Sequence, residues 1–360
     1  MLFRSEPDIT SDIACLRGQI DQILKEQTLR YSEELRAIGG ELDPVAAALI
    51  DFVDGGKRFR PIFAYLGYLA TGASSQRFKL VACSSLELVH ICALIHDDLM
   101  DGSDTRRKKP AIHRQFSDLH RKQSYQGDAD RFGAAAAILL GDLALVWADR
   151  ILADSGITSE ELFRTMPIFN VMRDELMAGQ YLDVLEGALA TTSVERSLRV
   201  ARFKSGKYSI ERPLHFGAAL AGAEIQFFDH LSKYGLPLGE AFQLRDDILG
   251  VFGESSITGK PAGDDLREGK RTVMIAITHA RATKEQNEKL NQLFGKSNLN
   301  ESEISTLRGI ITETGALGEC ERLIESLASQ ASDALDLSPI DNEIKKRLEE
   351  MIMLATKRDL

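Results

Sequence analysis

The sequence between residues 76 and 101 reads QRFKLVACSSLELVHICALIHDDLMD and contains the pattern that decides the fold. Its apolar residues recur with a helical period rather than with the alternation of a strand. The segment closes on Asp97, Asp98 and Asp101, whose spacings of three and four residues bring all three carboxylates to one face of a helical turn. We therefore predict a buried helix that carries an acidic cluster at its C-terminal end.

This acidic cluster has a chemical use if a cation lies within it, because like charges at such spacings otherwise repel. A ligand set of carboxylate oxygens suits Mg²⁺, which commonly takes its remaining ligands from water and substrate phosphates. A solvated acidic helix end explains the motif alone equally well. Arg106 and Arg107 follow closely, however, and cations beside carboxylates are expected where a diphosphate bridges the two.

Two further motifs support a diphosphate site. FQLRDDILG (residues 242–250) places Asp246 and Asp247 on another apolar helix, and GKPAGDDLREGKRT (residues 259–272) follows it. A basic cluster, GGKRFRP, occupies residues 55–61. It lacks the spacing of a P-loop, so a nucleotide site is not indicated. Together the motifs predict a site for two diphosphates and several metal ions.

The remaining sequence predicts an all-α protein with a single domain. Hydrophobic residues make up 44% of the 360 residues and charged residues 27%, and no linker rich in Pro, Gly or Ser divides the chain. We predict helices over about residues 12–38, 44–54, 59–71, 76–101, 130–154, 159–186, 193–221, 225–252, 272–295, 302–335 and 340–357.

Charge and cysteine usage exclude several classes of protein. A formal net charge of −10 argues against a general nucleic-acid binder. The four cysteines form no CxxC pair, which favours free thiols in a reducing cytoplasm. The most apolar stretch, residues 132–148, contains Asp142 and is shorter than the roughly 20 apolar residues that span a bilayer. We therefore expect a cytoplasmic protein without a membrane span.

The order of the motifs resembles that of the trans-prenyltransferase family, the head-to-tail polyprenyl diphosphate synthases. GGKRFRP, HDDLMD followed by TRR, FKSGK, FQLRDDIL and GKPAGDDLREGKRT occur in the family's order from about Gly55 to Thr272. The resemblance implies an antiparallel helical bundle around a central apolar cavity, of the isoprenoid synthase type. It also implies one domain over residues 1–360, with core motifs in 55–272 and C-terminal helices in 273–360, three Mg²⁺ ions per active site and a homodimer.

The same resemblance assigns roles to individual residues. The metal ligands are Asp97, Asp98, Asp101, Asp246 and Asp247, which with Arg106, Arg107 and Lys204 make up the catalytic group. The allylic diphosphate is held by Arg106, Lys204, Lys260 and Lys270, and that of isopentenyl diphosphate by Lys57, Arg60, His90 and Arg107. Ser205 and Gln243 line the substrate site, and Gln180 and Asp183 support it, whereas His96 is interpreted as structural.

Two positions depart from the family pattern. Gly250 stands where the second motif usually has its third aspartate, so that this position cannot bind or support a metal. Lys108 stands where a glycine usually follows the two arginines, which can alter the loop but leaves both guanidinium groups in place.

The implied product length depends on the helix that precedes Asp97. One helical turn rises about 5.4 Å, close to one isoprene unit. In farnesyl-type members of the family, aromatic residues four and five positions before the first aspartate close the channel. Here these positions are Ala93 and Cys92, and one turn earlier lie Val89 and Leu88. We therefore expect a longer product, geranylgeranyl diphosphate.

Two alternatives remain open at this point. A class I terpene cyclase would share the aspartate motifs, but it has no use for a second diphosphate site such as GGKRFRP with His90. A non-catalytic subunit of a heteromeric synthase would also share the fold. Consumption of isopentenyl diphosphate by the purified chain distinguishes the synthase from both.

Overall fold

The structure of the chain, a computed structural model, describes residues 12–254 and 263–357. Its first elements are α1 (Ile13–Ile38), a 3-10 helix (Gly40–Leu42), α2 (Asp43–Val53), α3 (Phe59–Leu69), α4 (Arg77–Met100), β1 (Thr105–Arg106), β2 (Lys109–Pro110), α5 (Ile112–Lys122) and α6 (Ala129–Asp154). There follow α7 (Ser159–Leu189), α8 (Val194–Val200), a π-helix (Ala201–Glu211), α9 (Arg212–Ala221), α10 (Ile225–Phe252), α11 (Asp264–Glu268), α12 (Val273–Arg281), α13 (Lys284–Leu293), α14 (Glu301–Glu313), α15 (Ala316–Asp336) and α16 (Asn342–Thr356).

Helices dominate the described part of the chain, in agreement with the predicted all-α class. Within these ranges β1 and β2 are the only strands, and they form a short antiparallel hairpin. Several helices begin at residues whose side chains cap the first turn. Asp12 accepts a hydrogen bond from the backbone of α1, and Thr158 and Glu161 form a reciprocal capping box on α7.

The helix that carries the first acidic motif lies in the core. Leu80, Leu86, Ile91 and Ile95 of α4 are buried, and α6 packs along α4. Burial of each such side chain contributes on the order of 1.5–3 kcal/mol. This packing fixes the axis of α4 and hence the position of the carboxylates at its end.

The C-terminal helices form a second apolar cluster that shares α10 with the main core. Phe242 of α10 belongs to the main cluster, whereas Ile248, further along the helix, packs with α12–α15. Between them Arg245 donates two hydrogen bonds of 2.7 and 2.6 Å to Glu321 of α15 and one of 2.8 Å to the carbonyl of Thr356. Because the two apolar clusters share α10, the structure suits a single helical domain. The single-domain organisation stays a prediction.

The helix predicted over residues 193–221 is divided into α8, the π-helix and α9. The π-helix packs closely against two neighbours, because the backbone of Lys204 lies against Gly179 of α7 and that of Gly206 against Gly239 of α10. A π-helix holds more residues per turn than an α-helix. Its occurrence depends on contacts between distant segments, which local periodicity does not contain.

Two predicted C-terminal helices are each divided in two. The segment predicted over residues 272–295 breaks where Thr283 and Gln286 form a capping box that starts α13. The segment predicted over residues 302–335 breaks at Gly315, whose φ of 74° belongs to the left-handed region.

The sequence pattern predicts neither α5 nor α11. α5 contains few apolar residues, although Ile112 and Phe116, four residues apart, are both buried. α11 is five residues long and too short to show a period. In both helices the packing against neighbours outweighs the weak local signal.

By length and composition alone, α4 and α6 could each cross a bilayer. In α4, however, 72% of the most apolar window is buried inside the protein, which is typical of a core helix. In α6 the corresponding share is 39%, because Ile138, Leu139 and Val146 are exposed along one face.

Candidate active site

α4, the π-helix and α10 face one another across a cavity of about 610 Å³. Asp97 from the last turn of α4, Lys204 from the π-helix, and Asp246 and Asp247 from α10 all line this cavity. The fold therefore brings the first and second acidic motifs to one cavity, which Lys204 also lines.

Asp97 is the carboxylate of the first motif that lines the cavity. Its Oδ1 accepts hydrogen bonds from Lys204 Nζ at 2.9 Å and from Gln180 Nε2 at 2.8 Å. Lys204 also binds Asp183 at 2.5 Å. Burial alone would raise the pKa of Asp97, but the ammonium groups of Lys204 and Lys270 and the guanidinium of Arg106 lower it well below its usual range.

The other two carboxylates of this motif have different partners. Asp98 is buried and accepts hydrogen bonds from Arg106 Nε at 2.9 and 3.1 Å. Asp101 lies 3.1 Å from Lys270 Nζ, measured to its Oδ2. Burial raises the pKa of Asp101 to about 6, although the nearby Lys270 opposes this shift. The motif thus holds two carboxylates paired with lysines and one paired with an arginine.

The second motif contains a carboxyl group in a strongly acidic environment. Asp247 is buried and accepts a hydrogen bond of 2.6 Å from Gln243. Burial raises the pKa of Asp247 to about 8, and the negative charges of Asp265 and Asp246 add to this shift. Excess negative charge of this kind is relieved by a bound cation.

A second group of predicted substrate residues lines the part of the cavity formed by α3, α4 and the π-helix. Arg60 is buried, donates to Ser209 Oγ at 2.7 Å and stacks 4.2 Å from the ring centre of Tyr208. His90 Nδ1 lies 2.7 Å from the Tyr208 hydroxyl. Burial lowers the pKa of His90 well below its ordinary value, and the guanidinium groups of Arg60 and Arg107 lower it further. His90 is therefore neutral at physiological pH.

Arg107 reaches the same side of the cavity from the β1–β2 hairpin. Its Nη1 donates to the carbonyls of Phe52 and Asp54, each at 3.0 Å. Arg107 and Lys108 have φ angles of 52° and 65°, as in a type I′ turn. A glycine at position 108 would fit this turn without strain, and Lys108 is accommodated there with both arginines in place.

Sequence reasoning missed Arg58, Glu87 and Tyr208, which line this side of the cavity. Arg58 is buried and binds Glu87 Oε1 at 2.9 Å and Asp21 Oδ1 at 2.7 Å. Tyr208 joins Arg60 to His90 as described above. The only available signal for Tyr208 was its position four residues after Lys204, on the same side of a helical turn.

Of the remaining predicted site residues, some line the cavity and some do not. Lys57, Arg106, Ser205, Gln243, Lys270 and Ala93 contribute to its walls. Leu88, Val89 and Cys92 are buried but are not among the lining residues, and Cys92 Sγ instead lies 3.7 Å from His96 Nδ1. His96 in turn contacts the carbonyl of Ile138 in α6 at 3.0 Å, as suits a structural residue. Lys260 lies outside the described residues.

The chemistry of this cavity fits Mg²⁺. Among the described residues no three acidic, histidine or cysteine side chains already converge as a closed metal site, because Lys204, Lys270 and Arg106 lie between the carboxylates. The possible donors facing the cavity are carboxylate oxygens, which are the ligands that Mg²⁺ prefers. The residues that could hold the metal are Asp97, Asp246 and Asp247, which line the cavity, and Asp101, which lies one helical turn after Asp97.

Comparison with known proteins supports the same assignment. A family model described as polyprenyl synthetase matches residues 43–311. A geranylfarnesyl diphosphate synthase from Aeropyrum pernix is 30% identical over 309 residues, covering 84% of this chain and 91% of that protein. A geranylgeranyl diphosphate synthase from Methanosarcina mazei is 32% identical over 298 residues, covering 82% and 84% of the two chains.

A solved structure shows the same architecture along nearly the whole chain. It is a geranylgeranyl pyrophosphate synthase from Corynebacterium glutamicum, complexed with isoprenyl diphosphate and magnesium. The TM-score is 0.93 at 39% sequence identity, and the match covers 97% of this chain and 100% of that one. The predicted all-α isoprenoid synthase fold and the predicted prenyltransferase activity are confirmed, and the chain belongs to the polyprenyl synthetase family.

Proposed function

We propose that the chain condenses isopentenyl diphosphate head-to-tail with an allylic diphosphate and releases geranylgeranyl diphosphate as its main product. The observation that carries this proposal is the meeting of both acidic motifs in one cavity, where Lys204 pairs with Asp97. The separate basic group around Arg60, whose buried Nε has no hydrogen-bond partner within the described residues, supports a second diphosphate site. A terpene cyclase has no need for that second site.

We also propose that three Mg²⁺ ions are held by Asp97, Asp101, Asp246 and Asp247, while Asp98 positions Arg106 for the allylic diphosphate. When bound, Mg²⁺ supplies Lewis-acid stabilisation of the negative charge on a departing diphosphate. Lys204 and Lys270 add positive charge fixed on the same side of the cavity. This arrangement supports ionisation of the allylic substrate, because preorganised charge is most effective where water is excluded.

The reaction needs no protein nucleophile. The allylic C–O bond breaks and diphosphate leaves, the double bond of isopentenyl diphosphate forms the new C–C bond, and a proton is lost to the released diphosphate. Arg60 and Arg107 hold the diphosphate of isopentenyl diphosphate. Leu94, Leu176 and Phe242 give the cavity an apolar wall that keeps water from the allylic carbocation. Lys57, His90, Ser205, Gln243 and Lys260 complete the proposed substrate contacts.

The function is tested with the purified chain, Mg²⁺, isopentenyl diphosphate and one of three primers: dimethylallyl, geranyl or farnesyl diphosphate. We expect isopentenyl diphosphate to be consumed and a twenty-carbon product to appear by mass analysis. Asp97→Asn should lower kcat by about 10²–10³-fold, because it removes a carboxylate that would hold the Mg²⁺ needed to stabilise the departing diphosphate. Asp229→Asn, at an exposed position of α10, is the matched control and should retain activity. Conversion of the allylic substrate alone into a hydrocarbon would instead identify a cyclase, and absence of turnover would favour a non-catalytic subunit.

We propose that product length is limited at Ala93, which lies on the cavity wall. Ala93→Phe would fill the channel below Asp97 and should shift the product from twenty to fifteen carbons. Cys92→Phe is the comparison, because Cys92 lies one residue away and is buried toward His96. Shortening by both variants would place Cys92 along the channel beside Ala93, as the sequence suggested. An unchanged product from both would show that the channel ends elsewhere.

The quaternary structure and location are also proposals. We infer a homodimer formed through the exposed face of α6, where Ile138, Leu139 and Val146 lie together on the surface. Large exposed apolar patches commonly mark interfaces.

We propose a cytoplasmic location because all four cysteines are free, three of them in the interior of the chain.

A further inference from the structure

Gly250 is the position at which the second acidic motif lacks its third aspartate. It lies near the end of α10, one helical turn after Asp246 and on the same side of the helix. A glycine within a helix is less favourable than alanine, so a packing reason is expected for it.

That reason is a carboxylate from another segment. A Cβ atom at position 250 would lie 1.9 Å from Oδ2 of Asp265 and 2.4 Å from its Cγ. These distances are far below van der Waals contact, so the Asp265 carboxylate occupies the space that a side chain at position 250 would need. Asp265 belongs to α11, which packs against α10.

The surroundings of Asp265 are those of a site residue. Gly250, Asp265, Asp246 and Asp247 all line the cavity. Asp265 Oδ1 lies 3.6 Å from Lys270 Nζ, and its side chain is 13% exposed. Because it packs against Gly250, one helical turn after Asp246, Asp265 lies close enough to share a cation with the second motif.

We propose that Asp265 replaces the missing third aspartate of the second motif, so that its carboxylate, packed against Gly250, helps to hold the divalent cation at Asp246 and Asp247. The pair Gly250–Asp265 would then be a rearranged form of the acidic motif rather than a loss of part of it. The inference rests on the proposed function only for the identity of the cation and its diphosphate partner.

The test measures binding separately from turnover. The full chain is titrated with Mg²⁺ at fixed inorganic pyrophosphate, and the rise in melting temperature gives the Mg²⁺ concentration for half-maximal effect. The Mg²⁺ dependence of kcat and the KM for the allylic diphosphate are measured in parallel. The variants are Asp265→Asn, Asp265→Ala, Gly250→Ala and the exchange Gly250→Asp/Asp265→Ala. Gly309→Ala, on α14 with no atom within 4 Å of the added Cβ, is the control for the glycine replacement.

We expect Asp265→Asn to raise the Mg²⁺ concentration for half-maximal effect by about 10–100-fold, as is typical when support of a metal site is lost. Gly250→Ala should shift it in the same direction because the added methyl group displaces the carboxylate, whereas Gly309→Ala should leave it unchanged. The exchange variant should bind Mg²⁺ with pyrophosphate more tightly than Asp265→Ala.

The contrary results are equally specific. An unchanged Mg²⁺ dependence in Asp265→Asn would overturn the proposal, and this nearly isosteric variant decides the matter if the exchange variant does not fold. A folded exchange variant that binds no better than Asp265→Ala would also overturn it. A raised KM with unchanged Mg²⁺ dependence would assign Asp265 to holding Lys270 instead. If the wild type binds Mg²⁺ with pyrophosphate but consumes no isopentenyl diphosphate, the proposed function fails while this inference stands.

Discussion

At the scale of single residues, the position of Lys204 depends on Gly179, a neighbour in α7 that has no side chain. A Cβ at Gly179 would lie 2.3 Å from the backbone N of Lys204 and 2.6 Å from its Cα. Gly179→Ala must therefore push the π-helix away from α7 and move Lys204 from Asp97 and Asp183. We expect kcat to fall by about 10–100-fold, because small displacements of charged groups in an active site are costly.

The control for this substitution lies on the same helix. Gly187 of α7 has no atom within 4 Å of an added Cβ, so Gly187→Ala should retain full activity and a similar melting temperature. Both variants are compared by kcat and KM at a temperature well below unfolding. A fall in kcat that exceeds the change in KM separates displacement of Lys204 from a general loss of folded protein. Full activity in Gly179→Ala would show that Lys204 reaches Asp97 without this close packing.

At the scale of elements, the β1–β2 hairpin carries strain at one exposed position. Lys108 has a φ of 65° in a two-residue turn that favours glycine. Lys108→Gly should raise the free energy of unfolding by about 0.5–1 kcal/mol, because relief of the left-handed conformation exceeds the added freedom of the unfolded chain. Lys108→Ala removes the same charge and keeps the strain, so it should give no such gain. The check is chemical denaturation of both variants; equal stability of the two would show that the turn is not strained.

The elements also show how much of the fold can be predicted from the sequence. Helical periodicity predicted α4 and α10 well, because each buries a long apolar face that repeats along the chain. The acidic and basic motifs predicted most of the cavity wall. Contacts such as Gly250 with Asp265, Arg60 with Tyr208 or Lys204 with Gly179 could not be predicted, because each joins segments whose separation along the chain says nothing about their distance in space. The π-helix and α5 depend on such contacts as well.

At the scale of the whole molecule, the outer surface of α6 is the feature that a single copy of the chain leaves unexplained. Leu139 is 61% exposed and Val146 is 53% exposed, and both lie on one face of the helix. On the neighbouring α7, Phe163 is 81% exposed and Tyr181 is 67% exposed, and an ion pair of 2.8 Å between Arg173 and Asp149 joins the two helices. A second copy of the chain would remove these apolar groups from water at a gain of about 25 cal/mol per Å².

This surface makes a homodimer testable without disturbing the active site. The wild type should sediment at twice the mass of one chain, and Leu139→Glu/Val146→Glu should sediment as a monomer, because burial of two carboxylates in an apolar interface is strongly unfavourable. Leu337→Glu, at a residue that is 85% exposed beyond the end of α15, is the control and should remain dimeric. A monomeric wild type would contradict the assignment.

The exposed face of α6 could also meet a lipid surface. In that case the wild type would float with phospholipid vesicles and the double variant would not. Since the second copy hides the same apolar side chains that lipid would contact, a dimer that fails to float would assign this face to the subunit interface.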